Sequence, residues 1–544
     1  MNYKITGKEN ISFNNNAFYC IGTGRMGLAL QKQYYEQLKL VQDTIGFEHI
    51  RGHGLFCKDM FIYHEYDTAK WQMPWGKMEE TPTLTVEYNW TYLDMVMDSY
   101  RELKIRPFIE LGFMPDQLSS GDQTIFYWRG NVTPPRNYDR WTALVKATLD
   151  HLIKRYGRDE VVQWPVEVWN EPNLTSFWKD ADQKEYFKLY DKTSRAVKEV
   201  DQRFKVGGPA VCGGTDKEWV TAFLEYVRDN DCPLDFVSRH HYTTETPAHN
   251  GHYGYPKLHK KEKCFEQLEA TRGIVDSFPQ FKDMDIHVTE FNTSYIPNAP
   301  VHDMNLNAAY IANMLSTFGD NHKSYSYWTF GDIFEEFGVP YTPFHGGFGL
   351  VANGLIPKPT FWTFAFYKKL LKDYEKCVLR TPECIVVQCR DENKDCDGSQ
   401  NGNRDDAVFF KGIAWNVDTE MSGKEMEINL ELPLGLADDG NAGSATATRS
   451  GSAATAVVPP NVLITQLVDE EVCNPLKVWH DLGEHTNPSA DEVALLRSAA
   501  NPFVQTKRCS NKISLTLKEN AVCYFEIKTA PIVSDRGYEY GRLE

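Results

Sequence analysis

The chain has 544 residues, 42% hydrophobic and 13% aromatic, with a formal charge of −17 at pH 7. That length exceeds one ordinary core and predicts a large domain beside a smaller one. The acidic balance, with no basic stripe to offset it, argues against a nucleic-acid partner. No stretch is apolar for long enough to span a membrane, and residues 1–10 form no apolar signal region, so a cytoplasmic chain without membrane contact is expected. The 12 cysteines are scattered and read as free thiols. Their one cluster, Cys377, Cys384, Cys389 and Cys396, lacks the C-x2-C spacing of a zinc site, so no metal is expected.

Residues 1–14 predict a strand that joins the C-terminal domain. Strand-like runs then alternate with helical ones from residue 18 onward. The strands are predicted at 18–22, 47–56, 105–111, 161–170, 205–210, 235–242, 285–291 and 324–330, short and rich in β-branched and aromatic residues. After the first, Leu30, Tyr34, Leu38, Val41 and Ile45 recur at steps of three or four and form one apolar helical face. Eight such βα units with right-handed crossovers predict a (β/α)8 barrel over 15–358, with a doubly wound open sheet as the structural alternative. The run Gly22-Thr23-Gly24-Arg25-Met26-Gly27 follows a strand and precedes a helix, as a dinucleotide fingerprint does. The acidic residue expected about twenty positions on is misplaced, however: Asp43 lies in the first helix and Glu48 opens the next strand. A plain barrel turn is the preferred reading, with no cofactor; an NAD-dependent oxidoreductase is the remote one.

After Pro359 one last helix, 361–373, gives way to short alternating segments at 384–387, 407–415, 425–432, 462–468 and 513–527. These predict an accessory β-sandwich over 359–544. Residues 438–457, rich in Gly, Ser, Ala and Thr, interrupt it as a loop.

Two segments carry the chemistry. Trp169-Asn170-Glu171-Pro172-Asn173 and His287-Val288-Thr289-Glu290-Phe291-Asn292 each place a glutamate at the carboxyl end of a predicted strand. In a barrel those ends hold the active site. Two glutamates in matching positions suggest a catalytic pair.

The residues now resemble a known family, the retaining glycoside hydrolases of clan A, and within it family 39, which includes β-xylosidases and α-L-iduronidases. The resemblance runs in order through Arg51-Gly52-His53-Gly54-Leu55-Phe56, Val168 to Leu174, Ser238-Arg239-His240-His241-Tyr242, Val288 to Tyr295, Tyr327 to Glu336, and Phe344-His345-Gly346-Gly347-Phe348-Gly349-Leu350. It implies that Glu171 is the general acid/base and Glu290 the nucleophile, about 5–5.5 Å apart in a double displacement. It implies further that Arg51 and Tyr242 stabilise the Glu290 anion, that Asn170 bonds the sugar 2-hydroxyl, and that His53 and His240 bind other hydroxyls. Trp328 would supply an aromatic floor, and Glu335 and Glu336 would accept hydroxyl hydrogen bonds. A buried ion pair with Glu167 is the other reading of Arg51, and Phe113 fits the pocket wall and the core equally. Arg239 departs from the xylosidase pattern. Strand alternation from His240 points it outward; facing inward it would suit a uronic acid.

The expected activity is thus a retaining, exo-acting β-xylosidase that releases xylose from xylooligosaccharides. Iduronidase-like or arabinosidase activity is the alternative on the same scaffold, and a non-catalytic carbohydrate-binding protein a remote one. An accessory β-domain could also supply a homo-oligomer interface.

Overall fold

The computed structural model describes residues 1–13, 16–67, 72–73, 76–77, 84–318, 321–390, 408–434 and 461–529. Eight strands close a barrel in chain order: β1 (Cys20–Gly22), β2 (His49–Arg51), β3 (Arg106–Leu111), β4 (Val166–Val168), β5 (Val206–Val211), β6 (Phe236–Tyr242), β7 (Asp285–Asn292) and β8 (Ser324–Tyr327). All pair in parallel, and β4 closes on β3. Between and after them run α1 (Lys32–Thr44), α2 (Thr91–Glu102), α3 (Tyr138–Tyr156), α4 (Gln183–Val200), α5 (Asp216–Asp229), α6 (Lys261–Asp276), α7 (Asn305–Leu315) and α8 (Pro359–Leu371). Helices cover the outer face while side chains fill the inside, so the strands are buried on both faces and read as apolar runs. At the amino end of the strands Cys20, Phe108 and Phe236 plug the interior. The polar site lies above that plug.

Several strands are shorter than expected. The predicted run 161–170 narrows to Val166–Val168. Arg158–Val161 folds as a helical turn, and Pro165 has no N–H to give a ladder. The run 47–56 ends at Arg51, where Gly52 lets the chain turn; a Cβ there would stand 2.5 Å from the Gly24 carbonyl oxygen.

The closed barrel excludes the open sheet, and the glycine run proves to be packing. A Cβ on Gly22 would lie 2.4 Å from the Trp328 ring, and one on Gly24 would lie 3.0 Å from Phe334. The amides of Thr23 and Met26 donate to the Arg51 and His53 carbonyls at 2.8 Å each. They are therefore spent within the barrel rather than free for a pyrophosphate.

The C-terminal part is a sandwich. β9 (Tyr374–Arg380), β10 (Cys384–Arg390), β11 (Val408–Trp415), β12 (Met426–Glu431), β13 (Asn461–Val468), β14 (Phe503–Cys509), β15 (Lys512–Leu517) and β16 (Val522–Thr529) form it. One sheet has the order β9-β10-β11-β16-β13-β14; the other is the N-terminal strand Asn2–Lys4 parallel to β12, then β15. Period two sorts the residues of β10. Cys384 and Val386 face the sandwich core, whereas Ile385, Val387 and Cys389 join the barrel core. Burial on both sides explains why 384–387 is an unbroken apolar run.

Two helices, Pro475–Asp481 and Ala490–Ala499, interrupt the sandwich where only strands were expected. Segment 513–527 is two strands, split at 518–521. The expected loop 438–457 and Cys396 lie outside the described residues. Among the described residues no helix is long and apolar enough to cross a membrane.

Candidate active site

Glu290 does not follow its strand; it lies inside β7, opposite His240. The pairing of β6 with β7 shifts register between Arg239 and His240, leaving Thr289 as the extra residue. This bulge breaks strict alternation, so two neighbouring side chains both turn inward. Thr289 donates to Glu167 at 2.9 Å and Glu290 meets Arg51.

Glu171 stands beyond β4 in a tight turn. Trp169 and Glu171 both have left-handed backbone, φ 74° and 45°, a conformation that needs support from its surroundings. The Glu171 amide donates to the Ala210 carbonyl at 3.1 Å, and Trp169 Nε1 donates to Phe177 O at 2.8 Å. Asn173 ties the turn to the end of β5: it accepts from the Cys212 amide at 3.2 Å and donates to the Cys212 carbonyl at 3.0 Å.

Arg51 is the hub. Its side chain is wholly buried and donates to Glu167 at 2.6 Å, Glu290 at 2.8 Å and Asn170 Oδ1 at 2.8 Å, with Glu110 at 3.0 Å. Burial opposes its charge, but the carboxylates of Glu167, Glu110 and Glu290 outweigh that and raise its pKa. The ion pair with Glu167 and the contact with Glu290 are thus both made by one guanidinium. Because Asn170 Oδ1 accepts from arginine, its NH2 is left to donate elsewhere.

The two glutamates differ in surroundings. Glu290 receives Arg51 on one oxygen and the Tyr242 hydroxyl, at 2.6 Å, on the other. Burial, then the charge of Glu290, keeps that phenol far above its ordinary pKa, as a neutral donor. Glu171 has His240 Nδ1 at 2.7 Å; burial first, then the charge of Glu290, push its carboxyl up to about 8. Burial, with Arg51 and His53 beside it, holds the His240 pKa well below the ordinary value, so no imidazolium offsets that rise. An oxygen of each glutamate and a ring nitrogen of His240 lie within 4.8 Å of one another. The spacing would admit a metal ion. Arg51 and Tyr242 already occupy both oxygens of Glu290, and Glu171 holds a proton at neutral pH, so this donor set suits proton transfer better.

These groups open on a cavity of about 1050 Å³ lined by His53, Asn170, His240, Tyr242, Trp328 and Glu336 among others. His53 Nδ1 lies 2.7 Å from Glu110, and its ring lies 4.8 Å from that of Trp328. Burial and the charges of Glu290 and Glu171 hold the Glu336 carboxyl well above its usual range. Glu335, expected to accept sugar hydroxyls, does not line the cavity. Its carboxylate takes Arg25 at 2.8 Å and Tyr127 at 3.0 Å, and so holds the wall rather than a sugar. Phe113 packs on Trp169 in the core. Arg239 is also part of the cavity lining, with its guanidinium 3.0 Å from the Asp216 carboxylate.

Glu110 escaped the sequence reading, although it binds both Arg51 and His53. Its signal was a lone carboxylate inside the apolar strand Arg106–Leu111. A charge in such a place must be paired.

A barrel with one protonated and one doubly hydrogen-bonded carboxylate, close together at the carboxyl ends of its strands, has the architecture of a glycoside hydrolase. The model of glycosyl hydrolases family 39 matches residues 5–384. A β-xylosidase of Geobacillus stearothermophilus is 43% identical over 537 residues, 97% of this chain and 95% of that one. A β-xylosidase of Caldicellulosiruptor saccharolyticus is 36% identical over 375 residues, 68% of this chain and 72% of that one. The crystal structure of a monomeric β-xylosidase from Caulobacter crescentus superposes with a TM-score of 0.79 at 27% identity, covering 97% of this chain and 100% of that one. The chain belongs to glycosyl hydrolases family 39.

Proposed function

We propose that this enzyme is a β-xylosidase that releases xylose from the non-reducing ends of xylooligosaccharides by double displacement. The observation that carries the mechanism is that an oxygen of Glu171, whose carboxyl is pushed up to about 8, and an oxygen of Glu290, which receives Arg51 and Tyr242, lie within 4.8 Å of each other. A retaining pair stands about 5–5.5 Å apart, whereas an inverting pair leaves about 6.5–9.5 Å for a water molecule. Glu171, protonated, gives its proton to the departing oxygen as Glu290 attacks the anomeric carbon and forms a glycosyl ester. Glu171, now a carboxylate, takes a proton from water; that water displaces Glu290 and frees the sugar. The Asn170 NH2 bonds the 2-hydroxyl. His53, His240, Trp328 and Glu336 hold the rest of the ring.

Xylose as the sugar is supported by the β-xylosidase relatives. It also fits the placement of the cations: Arg51 is committed to carboxylates, and Arg239, though part of the cavity lining, already lies 3.0 Å from the Asp216 carboxylate. Residues 15–358 form the catalytic unit in this reading; 359–544, joined by 1–14, form the accessory one. The described cysteines are free thiols, which supports a reducing, cytoplasmic setting.

A panel of aryl glycosides, with product stereochemistry followed by NMR, tests the reading. β-Xylosides are expected to be turned over with retention. With azide present, Glu290→Ala should yield the α-configured xylosyl azide and Glu171→Ala the β-configured one. Strong turnover of another sugar and none of xylosides would remove the substrate assignment; near-normal turnover by both variants would remove the mechanism.

A further inference from the structure

The glycine-rich segment Phe344 to Leu350 contributes no side chain to the cavity of the two glutamates. A buried charge grips it from behind. Lys358, the residue before α8, has its side chain wholly out of water; its Nζ lies 2.6 Å from Asp303 Oδ1 and 2.7 Å from Asp332 Oδ2, and donates to the Gly347 carbonyl at 2.8 Å. Burial opposes that charge, but Asp303 and Asp332 outweigh it and raise the lysine's pKa, so the ammonium persists. The second oxygen of each carboxylate accepts an amide of the same segment: Asp303 Oδ2 that of Gly346 and Asp332 Oδ1 that of Gly349, at 2.7 Å each. Burial pushes the His302 pKa down to about 4, and the neutral ring donates from Nδ1 to the Gly346 carbonyl at 2.9 Å. Gly346 itself has φ 75°, and a Cβ on it would stand 2.6 Å from the Ala299 backbone.

Stability alone does not call for such a cluster, because apolar residues of similar volume often serve a core as well as a buried ion pair. Its placement is informative instead. The charged groups come from segments whose neighbours build the cavity: Asp303 follows Tyr295 and Ile296, and Asp332 lies between Trp328 and Glu336, all four in the cavity wall. The gripped segment backs that wall. Phe348 packs with Phe334 and Trp328, its ring edge-on to Phe334 at 5.2 Å, and Phe334 edge-on to Trp328 at 5.8 Å. Backbone bonds join the two layers: the Thr329 amide donates to the Phe348 carbonyl at 3.3 Å and the Asp332 amide to the Val351 carbonyl at 2.9 Å. Arg51 and His240, the partners of Glu290 and Glu171, lie outside the cluster.

We propose that Lys358, with Asp303 and Asp332, is a positioning residue for the sugar: without touching the substrate, it holds Trp328 and Glu336 where the ring of the sugar must meet them. The cluster therefore acts on binding of the ring rather than on the proton and ester chemistry of the glutamates. The proposal rests on the xyloside reading of the central site.

The test compares the parent with Lys358→Met and with the milder Asp303→Asn, which leaves the lysine paired with Asp332. Two constants are measured: KM for 4-nitrophenyl β-D-xyloside and the inhibition constant of free xylose. Neither depends on how much of the enzyme is folded, so a role in stability alone would leave both unmoved. Displacing the groups that bond the ring is expected to raise the two constants together, about three- to tenfold, in each variant that folds. Values within about twofold of the parent, less than one hydrogen bond is worth, would overturn the proposal. So would a folded variant without turnover, which would place the effect on the glutamate pair, or the failure of both variants to fold, which would assign the cluster to folding alone. A parent inactive on xylosides would overturn the xyloside reading instead, and the same constants would then be taken for the aryl glycoside and free sugar that it does accept.

Discussion

Arg51 holds one positive charge among Glu110, Glu167 and Glu290 with its side chain wholly out of water. Its removal leaves buried carboxylates without a counter-charge. Arg51→Met is therefore expected to cost about 3–5 kcal/mol of stability in urea unfolding and to abolish turnover. A stable, inactive variant would show instead that the network can neutralise itself by taking up a proton. Glu171 has the opposite electrostatics, since folding raises its carboxyl from 4.5 to about 8. Folding thus favours the protonated form, an advantage complete below about pH 4.5 and lost as pH rises through about 8. Glu171→Gln should match the parent's stability near pH 4 and exceed it at pH 8. The parent's kcat/KM should fall through the same alkaline limb as the proton donor is lost. Denaturation midpoints at the two pH values, with a pH–rate profile, check both; an alkaline limb that persists in the residual activity of Glu171→Gln would assign that ionisation to another group.

At the scale of elements, the bulge in β7 and the turn after β4 aim the pair. The turn depends on Asn173, which exchanges two hydrogen bonds with the backbone of Cys212 and donates to Thr215 Oγ1 at 3.1 Å. On the proposed mechanism Asn173→Ala frees a loop whose glutamate must meet a scissile oxygen, and small misplacements of that kind cost about a hundredfold in rate. We expect kcat/KM for aryl xylosides to fall by about that factor while most of the barrel's stability remains. Parent-like kinetics would show that the Glu171 amide bond to Ala210 is sufficient. Elsewhere the elements were unequally legible. β14 is exposed along most of its length, so it carries no alternating apolar signal. Helix Ala490–Ala499 did carry one: the capping box of Ser489 and Glu492.

At the scale of the molecule the sandwich and the barrel share a core. α7 is buried on nearly every side, and α8 buries Phe361, Phe364, Phe366 and Tyr367. A helix apolar all round needs cover on both faces. β11, β16 and the stacked pair Phe366–Tyr524, with centroids 5.7 Å apart, supply it. Trp362 Nε1 donates to Ala500 O at 2.6 Å and Asn305 to Asn520 O at 3.1 Å. A chain ended after residue 372 is therefore expected to aggregate or lose activity, as read by soluble yield and aryl xyloside turnover. An active, soluble fragment would show that the accessory sheet is dispensable.

By itself the sequence determined the eightfold alternation and the sandwich beyond it, and it singled out the two glutamates as candidates, because periodicity and strand-end position are local properties of the chain. It could not determine which side chains converge. Thr289 and Glu290 are neighbours and alternation allows only one of them inside; the bulge against β6 turns both inward. Glu335 and Glu336 are also neighbours, and Arg25 and Tyr127, far away in the chain, draw the first from the cavity and leave the second in its wall. Glu110, a lone carboxylate in an apolar strand, finds its partners only where β2 and β3 lie side by side. Charge and hydrogen bonding act across space, so the tertiary structure alone decided how these carboxylates are arranged.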